Sequence, residues 1–188
     1  VTLFGQYLID RFGPGILQDT LHSSLTGIDS INKYLVDRNN TERFVDVFSD
    51  WMWANYLNNG AQDIRYGYVN PNLQTIHVSL TDNKQLTSQN LNSYSYSLKP
   101  WQPAWYQFRT DSSASIGQNI KISWQGSGFK VFYADVSGVK RLIGNGDIIA
   151  PPPTGSFILM PVNESKTTSF GTMEVLIPLI FSIEYVNQ

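Results

Sequence analysis

Residues Thr41–Asn59, TERFVDVFSDWMWANYLNN, decide how the chain is read. Phe44, Val47, Phe48, Trp51 and Ala54 fall at i, i+3, i+4, i+7 and i+10, one face of an α-helix. Val45, Met52, Trp53 and Tyr56 add apolar surface outside that stripe. A helix apolar on two sides must be covered by other elements, because water would otherwise meet both faces. Asn40 or Thr41 is placed to cap its start, and Gly60 to end it in a left-handed turn.

Upstream, the pattern is also helical. Leu3, Phe4, Tyr7, Leu8 and Arg11 share one side of a first helix that Gly13 closes. Pro14 suits the first turn of a second helix, to about Ser23, with Ile16, Leu17 and Leu21 inward. Thr26-Gly-Ile-Asp29 matches a capping box, and Ile28, Ile31, Tyr34 and Leu35 give a third helix ending near Asp37. Connections this short predict an antiparallel helical packet.

Downstream of Gly60 the period changes. Gly60, Asp63, Gly67, Asn70, Pro71 and Asn72 are turn formers, so residues 60–72 read as a boundary. Period-two alternation then recurs: Ile76/Val78/Leu80, Tyr94/Tyr96/Leu98, Ala104/Tyr106/Phe108, Ile120/Ile122/Trp124 and Phe129/Val131/Tyr133. Lys140–Ile143, Phe157–Val162, Thr168–Leu176 and Leu179–Val186 complete the strands, with Pro151-Pro-Pro153 as a stiff connector. The apolar run Val175–Phe181 contains Pro178 and is far short of the ~20 residues of a membrane helix, so it reads as a strand pair or a long bent strand. The fold class is α+β. A helical subdomain, residues 1–60, precedes an antiparallel, jelly-roll-like β-sandwich, residues 61–188.

Composition narrows the function. Of 188 residues 41% are hydrophobic and only 15% charged, against a usual charged share of roughly 25%, which fits a packed core under a neutral surface and excludes a disordered chain. Net charge is −2, and neither half is charged enough to imply a charged partner: residues 1–60 carry four Lys/Arg and seven Asp/Glu, the remainder nine and eight. Nucleic acid is therefore not an expected partner. The absence of cysteine excludes disulfides, thiol nucleophiles and thiolate metal sites. Low lysine content with abundant Asn, Ser, Tyr and Trp points outside the cell or to its surface. Sequons stand at Asn39 and Asn163.

Catalytic patterns are sparse. The two histidines, His22 and His77, lack the one-turn spacing of H-E-x-x-H, and G-x-S-x-G is absent. Asp19, Asp29, Asp37 and Glu42 could pair for glycosidase chemistry, or act as caps and solvated faces. Gly144-Asn-Gly-Asp147 offers oxygen ligands for Ca²⁺ but reads first as a β-turn. Trp101 and Trp105 are the candidate ligand-binding residues. With Tyr106 and Phe108 inward, parity turns Trp105 outward, where it can stack on a sugar or peptide, or pack under the helices as an inter-domain interface. The rival function class is accordingly a glycan- or surface-binding module carried on a helical platform.

The helical region resembles the stretch that follows the zinc site in secreted bacterial metallopeptidase-like proteins of the gluzincin type, close to the hyicolysin group. The resemblance rests on Leu3-Phe4-x-x-Tyr7-Leu8-x-Asp10-x-Phe12-Gly13, on Leu25-Thr26-Gly27-Ile28, and on Phe44-x-x-x-Phe48-x-x-Trp51-x-x-Ala54-Asn55-Tyr56-Leu57. It covers about a third of the chain and implies the order seen here: a Y-L-x-x-x-x-G helix, an F-x-x-W helix closing the catalytic domain, then a β-rich domain. No H-E-x-x-H lies in these residues, so no catalytic residue carries over. The resemblance implies a non-catalytic C-terminal portion, a fragment of a longer hydrolase. Its partner would be an upstream catalytic domain, and zinc would be bound only there.

Overall fold

The computed structural model describes residues 2–87, 91–110, 118–135, 140–152, 155–165 and 176–187. They form two compact units that divide between Ser79 and Leu80. The turn-rich residues after Gly60 therefore belong with the helices.

The first unit holds α1 (Leu3–Phe12), α2 (Gly15–Leu21), α3 (Ile28–Asp37) and α4 (Phe44–Leu57), followed by single 3-10 turns at Ile64–Tyr66 and Pro71–Leu73. Helix α1 starts where the Thr2 hydroxyl accepts from the Gly5 N–H, and stops at Gly13, whose φ of 81° an L side chain resists. Helix α4 is central, as its two-sided hydrophobicity requires. Phe44, Val47, Phe48 and Ala54 are buried on the predicted stripe, and Val45, Met52 and Trp53 are buried outside it. Tyr7, Leu8, Ile16, Tyr34, Leu35 and Val47 belong to one core.

Several local expectations are corrected. Helix α4 is capped by Arg43, whose N–H donates to the Asp46 carboxylate at 2.9 Å; Asn40 instead accepts from the Glu42 N–H. It ends at Asn58 (φ 43°), two residues before Gly60, because asparagine tolerates the left-handed region and here bonds forward into the next segment. Helix α3 begins after Gly27 at φ 59°, and neither Thr26 nor Gly27 caps it through a side chain. Leu21 is 83% exposed: it follows Ile16 by five residues, roughly 140° around the helix from the buried side.

The second unit is a sandwich of a five-stranded and a four-stranded sheet, ordered β1-β3-β8-β5-β6 and β2-β9-β4-β7. The strands are β1 (Asp82–Gln85), β2 (Asn92–Leu98), β3 (Tyr106–Arg109), β4 (Gln118–Gln125), β5 (Phe129–Asp135), β6 (Lys140–Ile143), β7 (Asp147–Ile149), β8 (Ser156–Asn163) and β9 (Ile177–Asn187). Every described pairing is antiparallel except β1 with β3, which is parallel and corrects the expectation of a wholly antiparallel sandwich. Between the sheets lie Tyr106, Phe108, Ile120, Ile122, Phe157 and Phe181, with their neighbours. Each such side chain contributes about 1.5–3 kcal/mol on burial.

Ile76, Val78 and Leu80 do alternate in exposure, but they join no ladder; the Val78 N–H is taken by the Asn55 carbonyl at 3.1 Å. The polar residues Asp82–Gln85 form the edge strand instead, because β3 supplies a partner there. The run at Val175 resolves, over its described part, into one strand rather than a strand pair. Pro178 is tolerated in β9 because β4 pairs only as far as Ile180, leaving β2 as the ladder partner at that level. Residues 168–175 of the predicted Thr168–Leu176 strand, and Pro153 of the connector, lie outside the described residues.

Candidate functional site

The most developed polar site lies within the helical unit. Arg11 closes the apolar side of α1 that begins with Leu3, and Asp50 is a buried carboxylate within α4. The Arg11 guanidinium donates to Asp50 Oδ2 at 2.8 Å, to the Tyr7 hydroxyl at 3.2 Å, and to Glu42 Oε1. Tyr7 passes the chain on by donating to the Arg65 carbonyl at 2.9 Å. Burial pushes the Tyr7 hydroxyl pKa far up, so it remains a donor. Burial works against the charge on Arg11, but Tyr7, Asp50 and Glu42 outweigh it and hold the guanidinium protonated. Arg11 bonds Tyr7, Asp50 and Glu42 at once, so the chemistry of this group is that of a tie between α1, the α3–α4 loop and α4. Sequence reading missed it. The available signals were a charged residue on the apolar side of each of two helices.

Beside this tie, the end of α4 opens on a cleft of about 450 Å³ lined by Asn58, Gly60, Ile64, Gly67, Tyr68 and Val69. Asn58 organises its floor: Nδ2 donates to the carbonyls of Leu73 and Ile76, both at 2.8 Å, and Oδ1 accepts from the Tyr68 N–H. Gly60 and Gly67 touch backbone to backbone; a Cβ on Gly67 would lie 2.3 Å from the Gly60 nitrogen. The Tyr68 hydroxyl donates to Asn55 Oδ1 at 2.7 Å and accepts from Trp51 Nε1.

The residues singled out from sequence are dispersed. His22 is exposed at the end of α2 with Nδ1 2.9 Å from the Gln18 carbonyl, and His77 is exposed. The four carboxylates do not converge. Asp19 pairs with Arg38 at 2.6 Å, Asp37 with Lys33 at 2.8 Å and Glu42 with Arg11, while Asp29 stands exposed in the first turn of α3. Among the described residues no group of three or more His, Asp or Glu side chains is arranged to hold a metal. The Gly144–Asp147 segment is a β-turn: Asp147 Oδ2 accepts from the Gly144 N–H at 2.8 Å, and Asn145 bonds both backbone groups of Trp124. Of the sequons, Asn39 is exposed in a left-handed turn after α3, whereas Asn163 is 1% exposed within β8 and out of a glycan's reach.

Trp105 does point away from Tyr106 and Phe108, sharing its sheet face with Gln107, Ile158 and Met160. That face is not open. Trp105 is 7% exposed and Ile158 and Met160 are buried, so Trp105 offers no free ring for a sugar to stack on. Trp101 is half-buried in a left-handed turn, its N–H donating to the Asn163 carbonyl at 3.0 Å. The two tryptophans do not form a shared open platform.

No family model and no curated protein matches the chain. Among solved structures it is similar to PliG of Salmonella Typhimurium, a periplasmic lysozyme inhibitor of g-type lysozyme, at 17% identity over 56% of this chain and 99% of that one, with a TM-score of 0.40. PliG of Aeromonas hydrophila matches at 14% identity over 57% and 97% of the two chains, with a TM-score of 0.39. A de novo designed double-stranded β-helix matches at 12% identity over 50% and 99%, with a TM-score of 0.29. Likenesses at this level carry no inference about function.

Proposed function

We propose that this chain is the non-catalytic C-terminal part of a secreted zinc-metallopeptidase-like protein, with a helical unit that buttresses an active site and a β-sandwich that serves as an accessory module. The observation that carries the reading is where the resembling residues lie. Phe4 on α1 meets Phe44, Phe48 and Trp51 on α4, with ring centroids 5.7, 6.1 and 5.2 Å apart. Thus the residues through which two separate helices resemble the gluzincin-type proteins are packing partners of each other. Asn55 and Trp51, from the same motif, are joined through the Tyr68 hydroxyl. A shared packing unit explains such a pattern better than scattered apolar coincidences. Within the helical unit the buried side chains of Arg11 and Asp50 are bonded to each other in the Arg11 tie, as expected of a support rather than of a catalyst.

The test has two arms. The coding sequence ahead of Val1 is expected to encode H-E-x-x-H with a further zinc-binding glutamate downstream. The isolated chain, incubated with zinc and a protein substrate, is expected to cleave nothing. Zinc-dependent hydrolysis by the isolated chain, or an unrelated domain encoded immediately ahead of it, overturns the reading.

A further inference from the structure

The four edges of the sandwich are not equally protected. At one edge β1 has four residues and carries Lys84, and at another β6 has four and carries Lys140 and Arg141. The third edge, β7, has three residues and leaves a tight turn. Short length and lysine are the usual means of keeping an edge strand from pairing. By contrast β2, Asn92–Leu98, has seven residues, no charge and no proline. Its register with β9 runs one-to-one from Asn92 to Leu98 without a bulge, and among the described residues β9 is its ladder partner. Tyr94 and Tyr96 fix the strand from inside, donating to the Gln85 carbonyl and to Asp82 Oδ2, while Ser93, Ser95 and Ser97 are exposed.

The sequence of this edge, NSYSYSL, reads nearly the same in both directions about Ser95. We propose that β2 pairs antiparallel with β2 of a second copy of this chain, about a two-fold axis through Ser95. In that register Ser95 faces the partner's Ser95, Tyr94 faces the partner's Tyr96, and Ser93 faces the partner's Ser97. Each serine then meets a serine on the open face and each tyrosine a tyrosine on the core face, so from Ser93 to Ser97 like opposes like, and only the end pair, Asn92 with the partner's Leu98, departs from it. A two-fold interface needs such self-complementarity, because both copies present the same patch. A second copy is favoured over an unrelated extended peptide by that palindrome, which strand addition alone does not require. One strand pair buries less than a standard interface, so the dimer is weak and forms at high protein concentration.

The proposal is tested by sedimentation across roughly ten micromolar to about one millimolar chain, a range suited to a small interface. The wild type is expected to pass from monomer to dimer. Ser95→Lys places two like charges at the axis and is expected to weaken the dimer at least about tenfold, with the unfolding midpoint of the monomer unchanged. Since the chain has no cysteine, Ser95→Cys supplies a single thiol. Directly opposed Cα atoms, about 4.5–5.5 Å apart, lie within disulfide reach, so mild oxidation should cross-link it far faster than Ser24→Cys on the α2–α3 loop. A monomer throughout the range overturns the proposal. So does a dimer that Ser95→Lys leaves intact and in which Ser95→Cys cross-links no faster than Ser24→Cys. None of these outcomes depends on the peptidase reading.

Discussion

Arg11 Nη1 and Asp50 Oδ2 lie 2.8 Å apart, joining α1 to α4 through two side chains that are 7% and 6% exposed. Taking one partner away leaves the other as a buried charge, which costs more than the pair itself contributes. Asp50→Ala should therefore lower unfolding free energy by about 3 kcal/mol in denaturant titration, somewhat less than for an isolated pair because Glu42 still engages Arg11. Arg11→Met combined with Asp50→Leu should recover much of that loss. A double variant no more stable than Asp50→Ala would show that the pair is not a coupled unit.

Asn58 separates two explanations of a helix end. If its role were only to adopt a left-handed φ, Asn58→Gly would be neutral or stabilising. Its amide also holds the Leu73 and Ile76 carbonyls, so Asn58→Gly should destabilise the helical unit by about 1–2 kcal/mol. Thermal unfolding read by far-ultraviolet circular dichroism gives the sign directly.

Gly67 tests the close approach beside the cleft. Its φ is extended, so alanine brings no backbone strain, only a Cβ against the Gly60 backbone. Because backbone cannot rotate aside as a side chain can, Gly67→Ala should cost roughly 1–3 kcal/mol. Gly15→Ala, where a Cβ meets nothing, should not, and comparing the two melting curves checks this.

In the sandwich, burial pushes the hydroxyls of Tyr106 and Tyr133 up to about 12, with the charge on Asp82 adding to the first and that on Asp135 to the second. The folded state thus keeps protons that the unfolded chain releases near pH 10. Their contribution is complete below that pH and is lost as pH rises through about 12. Tyrosinate absorbance should show these two titrating late, with unfolding accelerating between those values. Replacing Tyr106 with Phe should flatten the alkaline loss.

The sequence alone determined the succession of helices and strands, because each depends on a period that neighbouring residues express locally. Phe44, Val47, Phe48 and Trp51 repeat every turn, and Ile120, Ile122 and Trp124 every second residue. Gly13 likewise marks the end of α1, since its positive φ is a local requirement. Only the tertiary structure decided the rest. Asp82–Gln85 becomes a strand because β3 lies beside it, while Ile76–Leu80, better patterned, finds no ladder. Trp105 takes the side that parity predicts, yet its burial depends on what lies over that sheet face, which no local period encodes. Arg11 stands 31 residues from Glu42 and 39 from Asp50, and their convergence exists only once α1 and α4 have packed.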